Sequence, residues 1–353
     1  MGTRGSAAAR AALSCAVAGA ACLLVGAPAA AATRKPHVES VPVRFRVANV
    51  NRSGVPCASD GRAYTVRGHL TGPRAALNRP RGVTLYLFGY DAGEWNWRLT
   101  AVPQYDHARA MARAGHVSLT VDELGYGSSA RPPGMATCVG AEADIAHQIV
   151  RKLRTGSYVA GGRPAPRFAR VILAGHDIGG ALAEIEAYSF KDVDGLVQVT
   201  FADQGFTPYI VERSTVSAFD WCTTDAPDGY HYYTESPREF RTKLFFDPEP
   251  RVLDAATRLR SRNPCGLIRS LPSGVYVDMV RGREIEVPVL VVFGAEDTLV
   301  WSREGERQQQ DDFPRSHDRS TVFVPRAGHF PMLERTAPTF RRALGAWLDR
   351  HGA

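Results

Sequence analysis

The chain has 353 residues, 44% of them apolar and 22% charged, and a formal net charge of +7. These proportions are ordinary for a globular protein, and the length suits one α/β domain with an insertion. The positive charge is spread along the chain beside acidic residues, with no basic run interleaved with aromatics, so it reads as solvated surface and excludes a nucleic-acid partner.

Arg4 and Arg10 open the chain, Ala11 to Val25 is a short apolar stretch, and Ala30-Ala31-Ala32 offers a small-residue cleavage site. The stretch is too short and too rich in alanine to span a bilayer. Residues 1–32 are therefore predicted to be a cleavable signal peptide, and the mature protein to be secreted without stable membrane insertion. Cleavage near Ala32 removes two arginines and leaves a net charge of 7 − 2 = +5.

Of the six cysteines, Cys15 and Cys22 leave with that segment, and Cys57, Cys138, Cys222 and Cys265 remain. An even number in an oxidising compartment predicts disulfides, with three possible pairings. Spacing favours Cys222 with Cys265, because both fall in one inserted region, and leaves Cys57 with Cys138. None of the four has a zinc-like histidine partner pattern and there is no His-Glu-x-x-His, so neither metal nor cofactor is expected.

In chain order, Val41 to Val50 alternates (Val41, Val43, Phe45, Val47) as a half-buried strand does, and Tyr64 to Thr71 is its expected partner. Val83 to Phe88 reads as a buried strand, Tyr105 to Ala114 as a short helix, His116 to Val121 as a strand and Val139 to Arg154 as a helix. Val171 to Ala174 is a strand running into an alanine-rich helix, and Gly195 to Phe201 is the sixth strand. Pro288 to Phe293 and Thr321 to Val324 supply the last two strands, and Pro338 to Arg350 a closing helix with Phe340, Leu344 and Leu348 on one face. Alternating strands and helices predict a mostly parallel sheet covered on both faces. The rhythm breaks after Asp203: residues 204–286 are rich in Tyr, Pro, Asp and Arg, lack a convincing strand, and read as a lid. The lid separates a first core part (33–203) from a second (287–353).

Chemistry concentrates at strand ends. Gly175-His176-Asp177-Ile178-Gly179 joins a strand to a helix in the Gly-x-nucleophile-x-Gly pattern, with an aspartate at the nucleophile position. A carboxylate needs no base to become nucleophilic, because its reference pKa is about 3.9, and it suits attack on saturated carbon. Gly294-Ala295-Glu296-Asp297 ends one later strand in an acid, and Ala327-Gly328-His329-Phe330 ends another in a histidine. Asp203, after the sixth strand, is the alternative acid, and His176 is read as structural.

The order nucleophile, acid, histidine, together with Asp122-Glu-Leu-Gly-Tyr-Gly-Ser-Ser-Ala-Arg-Pro132, resembles the α/β-hydrolase fold from about Val41 to the C-terminus. The Gly-His-Asp-x-Gly elbow is similar to those of epoxide hydrolases and haloalkane dehalogenases. That resemblance implies a small-molecule substrate and a catalytic set of Asp177, Asp297 and His329. The backbone N–H groups of Tyr90 and Ile178 would form the oxyanion hole, and Tyr209, Tyr230, Tyr232 and Tyr233 are candidate lid proton donors. Two departures stand out: Ile178 replaces the tryptophan those enzymes usually carry, and Phe88-Gly89-Tyr90-Asp91 replaces their His-Gly-x-Pro. Trp95 and Trp97 either line the pocket mouth or simply pack. Three readings stay open: epoxide or alkyl-halide hydrolysis through Asp177; ester cleavage, elimination or cyclisation on the same site; and a silent binding protein in which aspartate replaces a lost serine.

Overall fold

The computed structural model describes residues 36–224 and 226–352, and the predicted signal peptide lies outside the described residues. Eight principal strands are β1 (Val38–Ala48), β2 (Ala63–Pro73), β3 (Gly82–Leu87), β4 (Ser118–Asp122), β5 (Arg170–His176), β6 (Gly195–Val199), β7 (Val289–Gly294) and β8 (Arg319–Val324). With a two-residue edge strand, Val159–Ala160, they form one sheet in the order β8-β7-β6-β5-β3-β4-β2-β1-edge. β1 pairs antiparallel with β2, and β2 antiparallel with β4; from β4 across to β8 every pairing is parallel. The polarity pattern explains the division. β1 buries Val41, Val43, Phe45 and Val47 and exposes the residues between them, whereas β3, β4, β6 and β7 are buried throughout.

The helices of the core are α1 (His107–Ala114), α2 (Val139–Thr155) and α3 (Ile178–Phe190), followed within residues 204–286, the segment read above as a lid, by α4 (Pro208–Thr215), α5 (Pro237–Leu244), α6 (Pro250–Arg258) and α7 (Cys265–Arg281). The core resumes with α8 (Ser302–Asp312) and α9 (Ala337–His351), the latter burying the predicted Phe340, Leu344 and Leu348. None of these helices is long and apolar enough to cross a membrane among the described residues.

The structure corrects several boundaries. The first helix starts at His107 because Asp106 caps it, its carboxylate accepting the Arg109 N–H at 2.9 Å. β6 stops at Val199 because Thr200 turns to φ 52°. The lid does contain strand: Tyr230–His231 pairs antiparallel with Asn263–Pro264, a ribbon too short to show a period in the sequence. The helix α8 was not predicted, since Ser-Arg-Glu-Gly-Glu-Arg-Gln-Gln-Gln-Asp-Asp offers no apolar stripe. The cysteines pair as their spacing suggests, Cys57 with Cys138 and Cys222 with Cys265.

Candidate active site

Loops leaving the carboxyl ends of β3, β5, β7 and β8 meet at one point, where a parallel sheet presents its unpaired strand ends. Asp177 follows β5 at φ 52°, ψ −128°, a conformation that side chains rarely adopt. Its N–H donates to the Val199 carbonyl at 3.0 Å, and its own carbonyl accepts the Gly180 N–H at 2.7 Å. The turn closes because Gly175 has no side chain: a Cβ there would lie 2.0 Å from the Gly179 carbonyl oxygen.

His329 stands beside this elbow, with Nε2 3.5 Å from Asp177 Oδ1 and Nδ1 2.9 Å from Asp297 Oδ2. The second oxygen of Asp297 accepts the Leu299 N–H at 2.8 Å, which fixes the carboxylate. The His329 loop is tied down on three sides. Its N–H donates to the Leu244 carbonyl of the lid at 3.0 Å, and its carbonyl accepts Thr200 Oγ1 at 3.0 Å and His176 Nε2 at 2.8 Å. His176 thus steadies the histidine loop as well as filling the elbow.

The opposite face of Asp177 meets the loop after β3. The Tyr90 N–H donates to Asp177 Oδ2 at 2.9 Å. Gly89 permits that approach, since a Cβ on it would come within 2.5 Å of the Asp177 Cβ. Ile178 is the first residue of α3, so its N–H has no partner within the helix. Ile178, Tyr90 and Asp177 all line one cavity.

Three buried titratable groups share this space. Burial pushes the His329 pKa down, but the Asp297 charge, the hydrogen bond to Asp297 and the nearby Asp177 carboxylate outweigh it and lift the imidazole to about 10. Burial pushes the Asp177 carboxyl up, yet the nearby His329, the proximity of His176 and the Tyr90 N–H bring it below the ordinary carboxylate range. Burial first, and the His329 charge second, hold His176 down to about 3, so it is neutral. The arrangement therefore favours an imidazolium at His329 beside an ionised Asp177.

The cavity has a volume of about 430 Å³ and mostly apolar walls, with Phe201, Phe206, Ile210, Ile268, Leu271 and Met279 among them. Of the four lid tyrosines, Tyr233 lines it; its ring stacks on Tyr90 at 4.8 Å and its hydroxyl is 2.7 Å from Ser214 Oγ. The other three are placed elsewhere. The Tyr230 hydroxyl donates to the Pro132 carbonyl at 2.7 Å, Tyr232 lies under the Arg260 guanidinium, and Tyr209 sits beside Lys243 and Arg213. Trp97 is fully buried, its indole N–H donating to the Leu87 carbonyl at 2.8 Å, and Trp95 packs on Phe330, so both serve packing. Asp203 lines the cavity but faces Glu184 and Asp278, while Asp297 is the acid at the histidine.

Sequence reasoning missed Asp91. It lies at φ 57° next to Tyr90, fully buried. Its carboxylate accepts the N–H groups of Tyr233 and Thr234 at 2.6 and 2.9 Å and Asn263 Nδ2 at 2.9 Å, and pairs with Arg260 at 3.4 Å. All four partners belong to the lid, so one side chain ties the loop bearing the Tyr90 N–H to the lid. Glu334 does the same for the histidine loop, accepting the N–H groups of Phe246, Asp247 and Gly328. No local motif marks either residue; the only hint at Asp91 is its place directly after Gly89-Tyr90.

A family model described as the alpha/beta hydrolase family matches residues 88–342. No curated protein matches the chain. Among solved structures, a thermophilic esterase from Thermogutta terrifontis superposes with a TM-score of 0.63 at 19% identity, over 88% of this chain and all (100%) of its own. A monoacylglycerol lipase from Paleococcus ferrophilus superposes with a TM-score of 0.55 at 19% identity, over 76% of this chain and 94% of its own.

Proposed function

This chain belongs to the alpha/beta hydrolase family, and from that premise we propose that it hydrolyses epoxides through an alkyl-enzyme ester on Asp177. The observation that carries the reading is the Asp177 carboxylate itself, strained on the elbow, one oxygen on the Tyr90 N–H and the other facing His329. A silent site has no need of the complete Asp297–His329 relay behind it. Epoxide opening is favoured over halide displacement by the cavity's donors: phenols line it, with Tyr233 beside Asp177, and no indole does among its described lining residues.

The steps balance. Asp177 Oδ1 attacks the epoxide carbon, the C–O bond breaks, and the alkoxide takes a proton from the Tyr233 hydroxyl. Esterification removes the negative charge that helped hold the His329 proton, so the imidazolium gives that proton to the phenolate. Neutral His329 then deprotonates water as its oxygen bonds to the Asp177 carbonyl carbon, and the Tyr90 and Ile178 N–H groups hold the resulting oxyanion. Collapse passes the proton to the departing alkoxide, and the second proton of the water moves from the new Asp177 carboxyl to His329. Diol leaves and the resting ion pair returns.

The substrate that suits such walls is a bulky, apolar epoxide. Export fits the basic, apolar and alanine-rich start of the chain and its two disulfides, and N-terminal sequencing of protein from culture medium checks it. The test of the chemistry is the intact mass of the His329→Gln variant after incubation with an aryl or alkyl epoxide. A gain equal to the whole epoxide, mapped to Asp177 and missing in Asp177→Asn, is expected. An alkyl adduct formed only from haloalkanes moves the assignment to dehalogenation, and no adduct on folded protein removes the Asp177 ester altogether.

A further inference from the structure

Beneath the cavity wall, three carboxylates converge from three parts of the chain. Glu184 is two turns along α3 from Asp177, Asp203 follows β6, and Asp278 is on the lid helix α7. One oxygen from each lies within 4.8 Å of the others, and all three residues are buried. Asp312, at the end of α8, adds its charge from the edge. Among the described residues no lysine, arginine or histidine pairs with the three, and burial and mutual repulsion push their carboxyls well above the usual range.

Neutral donors orient the cluster. The side-chain amides of Gln198 and Gln309 both donate to Glu184 Oε1, and the Tyr188 hydroxyl donates to Asp278 Oδ1 at 2.7 Å. Each of these acids thereby keeps its second oxygen, Glu184 Oε2 and Asp278 Oδ2, without a hydrogen bond. Asp203 goes further: it is 2% exposed, and neither of its carboxylate oxygens has a partner. Donors that fix one oxygen of a carboxylate and leave the other turned inward are the usual outer shell of a metal ligand. The spacing agrees, because oxygens on opposite sides of a Ca²⁺ ion, each at about 2.3–2.6 Å, are about 5 Å apart.

We propose that Glu184, Asp203 and Asp278 bind one divalent, oxygen-seeking cation of the Ca²⁺ class. The ion cross-links the elbow helix, the β6 loop and the lid helix, and so holds the lid against the sheet next to the cavity. This inference is independent of the reaction assigned to Asp177.

The test uses the full chain, stripped with a chelator and titrated with Ca²⁺, Mg²⁺ and Mn²⁺ by calorimetry and thermal melting. One ion per chain and a raised midpoint are expected. Asp203→Asn is expected to weaken binding by about tenfold or more, whereas Glu186→Gln, in the separate His147–Glu186–Asp192 group, leaves it unchanged. Should Asp203→Asn fail to fold, Tb³⁺ on the wild-type chain gives the answer: emission sensitised through Tyr188 and displaced by Ca²⁺ supports the site. No binding below about 1 mM, weak even for extracellular sites, overturns it, as does binding that Asp203→Asn leaves intact or Tb³⁺ emission that Ca²⁺ fails to displace.

Discussion

The two sides of the lid are built on opposite principles. The side holding the ribbon 230–231/263–264 is polar and braced: Asp91, Arg260, Asn263 and Thr234 exchange buried hydrogen bonds that lock it to the Tyr90 loop. The side formed by α4 and α7 is apolar and meets water at the cavity mouth, where Tyr276 is 72% and Met279 40% exposed. The difference divides the labour. Directional hydrogen bonds keep an N–H within reach of Asp177 Oδ2, where the proposed reaction needs a donor placed to a fraction of an ångström. Non-directional apolar contacts suit selection of the proposed substrate by size and shape, which tolerates adjustment.

Breaking the braced side has the largest expected effect. Asp91→Ala leaves the buried Arg260 unpaired, a loss of about 3–5 kcal/mol, and frees the Tyr90 loop. Chemical denaturation is expected to register that loss, and kcat is expected to fall by at least about tenfold, since an oxyanion donor is typically worth 10²–10³ in rate; unchanged kcat in folded protein refutes the bracing role. Replacing Cys222 and Cys265 by serine opens a loop of separation 43 within the lid. The expected cost is about 2–4 kcal/mol of stability with kcat little changed, because Asp91 still anchors the ribbon.

The ion pair at His329 gives a pH signature next. Its pKa is raised from the ordinary 6.5 to about 10, so it contributes stability in full below about pH 6.5 and loses it as the pH climbs through about 10. The gap in melting temperature between wild type and His329→Gln is expected to be widest below pH 6.5 and to close toward pH 10; a constant gap contradicts a protonated resting histidine. The smallest effect belongs to the apolar side. Met279→Ser, at a half-exposed wall position, is expected to raise KM for a bulky epoxide severalfold, by about 1 kcal/mol, with kcat almost unchanged. A matching loss of kcat would show that this wall positions the reacting atoms as well.

The grouping of Asp177, Asp297 and His329 was legible in the sequence because each sits just past a strand that announces itself by apolar residues and a glycine turn. The mostly parallel sheet followed from the alternation of elements, since burial on one face or two leaves a periodic trace. The polar helix α8 and the two-residue ribbon left no such trace. The long-range contacts around the site were also invisible: Asp91 meets residues 142 to 172 positions away, and Glu184, Asp203 and Asp278 come from three separate parts of the chain. The absence of His and Cys spacing predicted no metal; the cation proposed at Glu184, Asp203 and Asp278 would rest on oxygen ligands, which need no local motif. Periodicity and turn chemistry are local and were determined by sequence alone. Which tyrosine meets the cavity, which acid meets His329 and which carboxylates share one buried space are contacts between distant segments, and only the packed tertiary structure decided them.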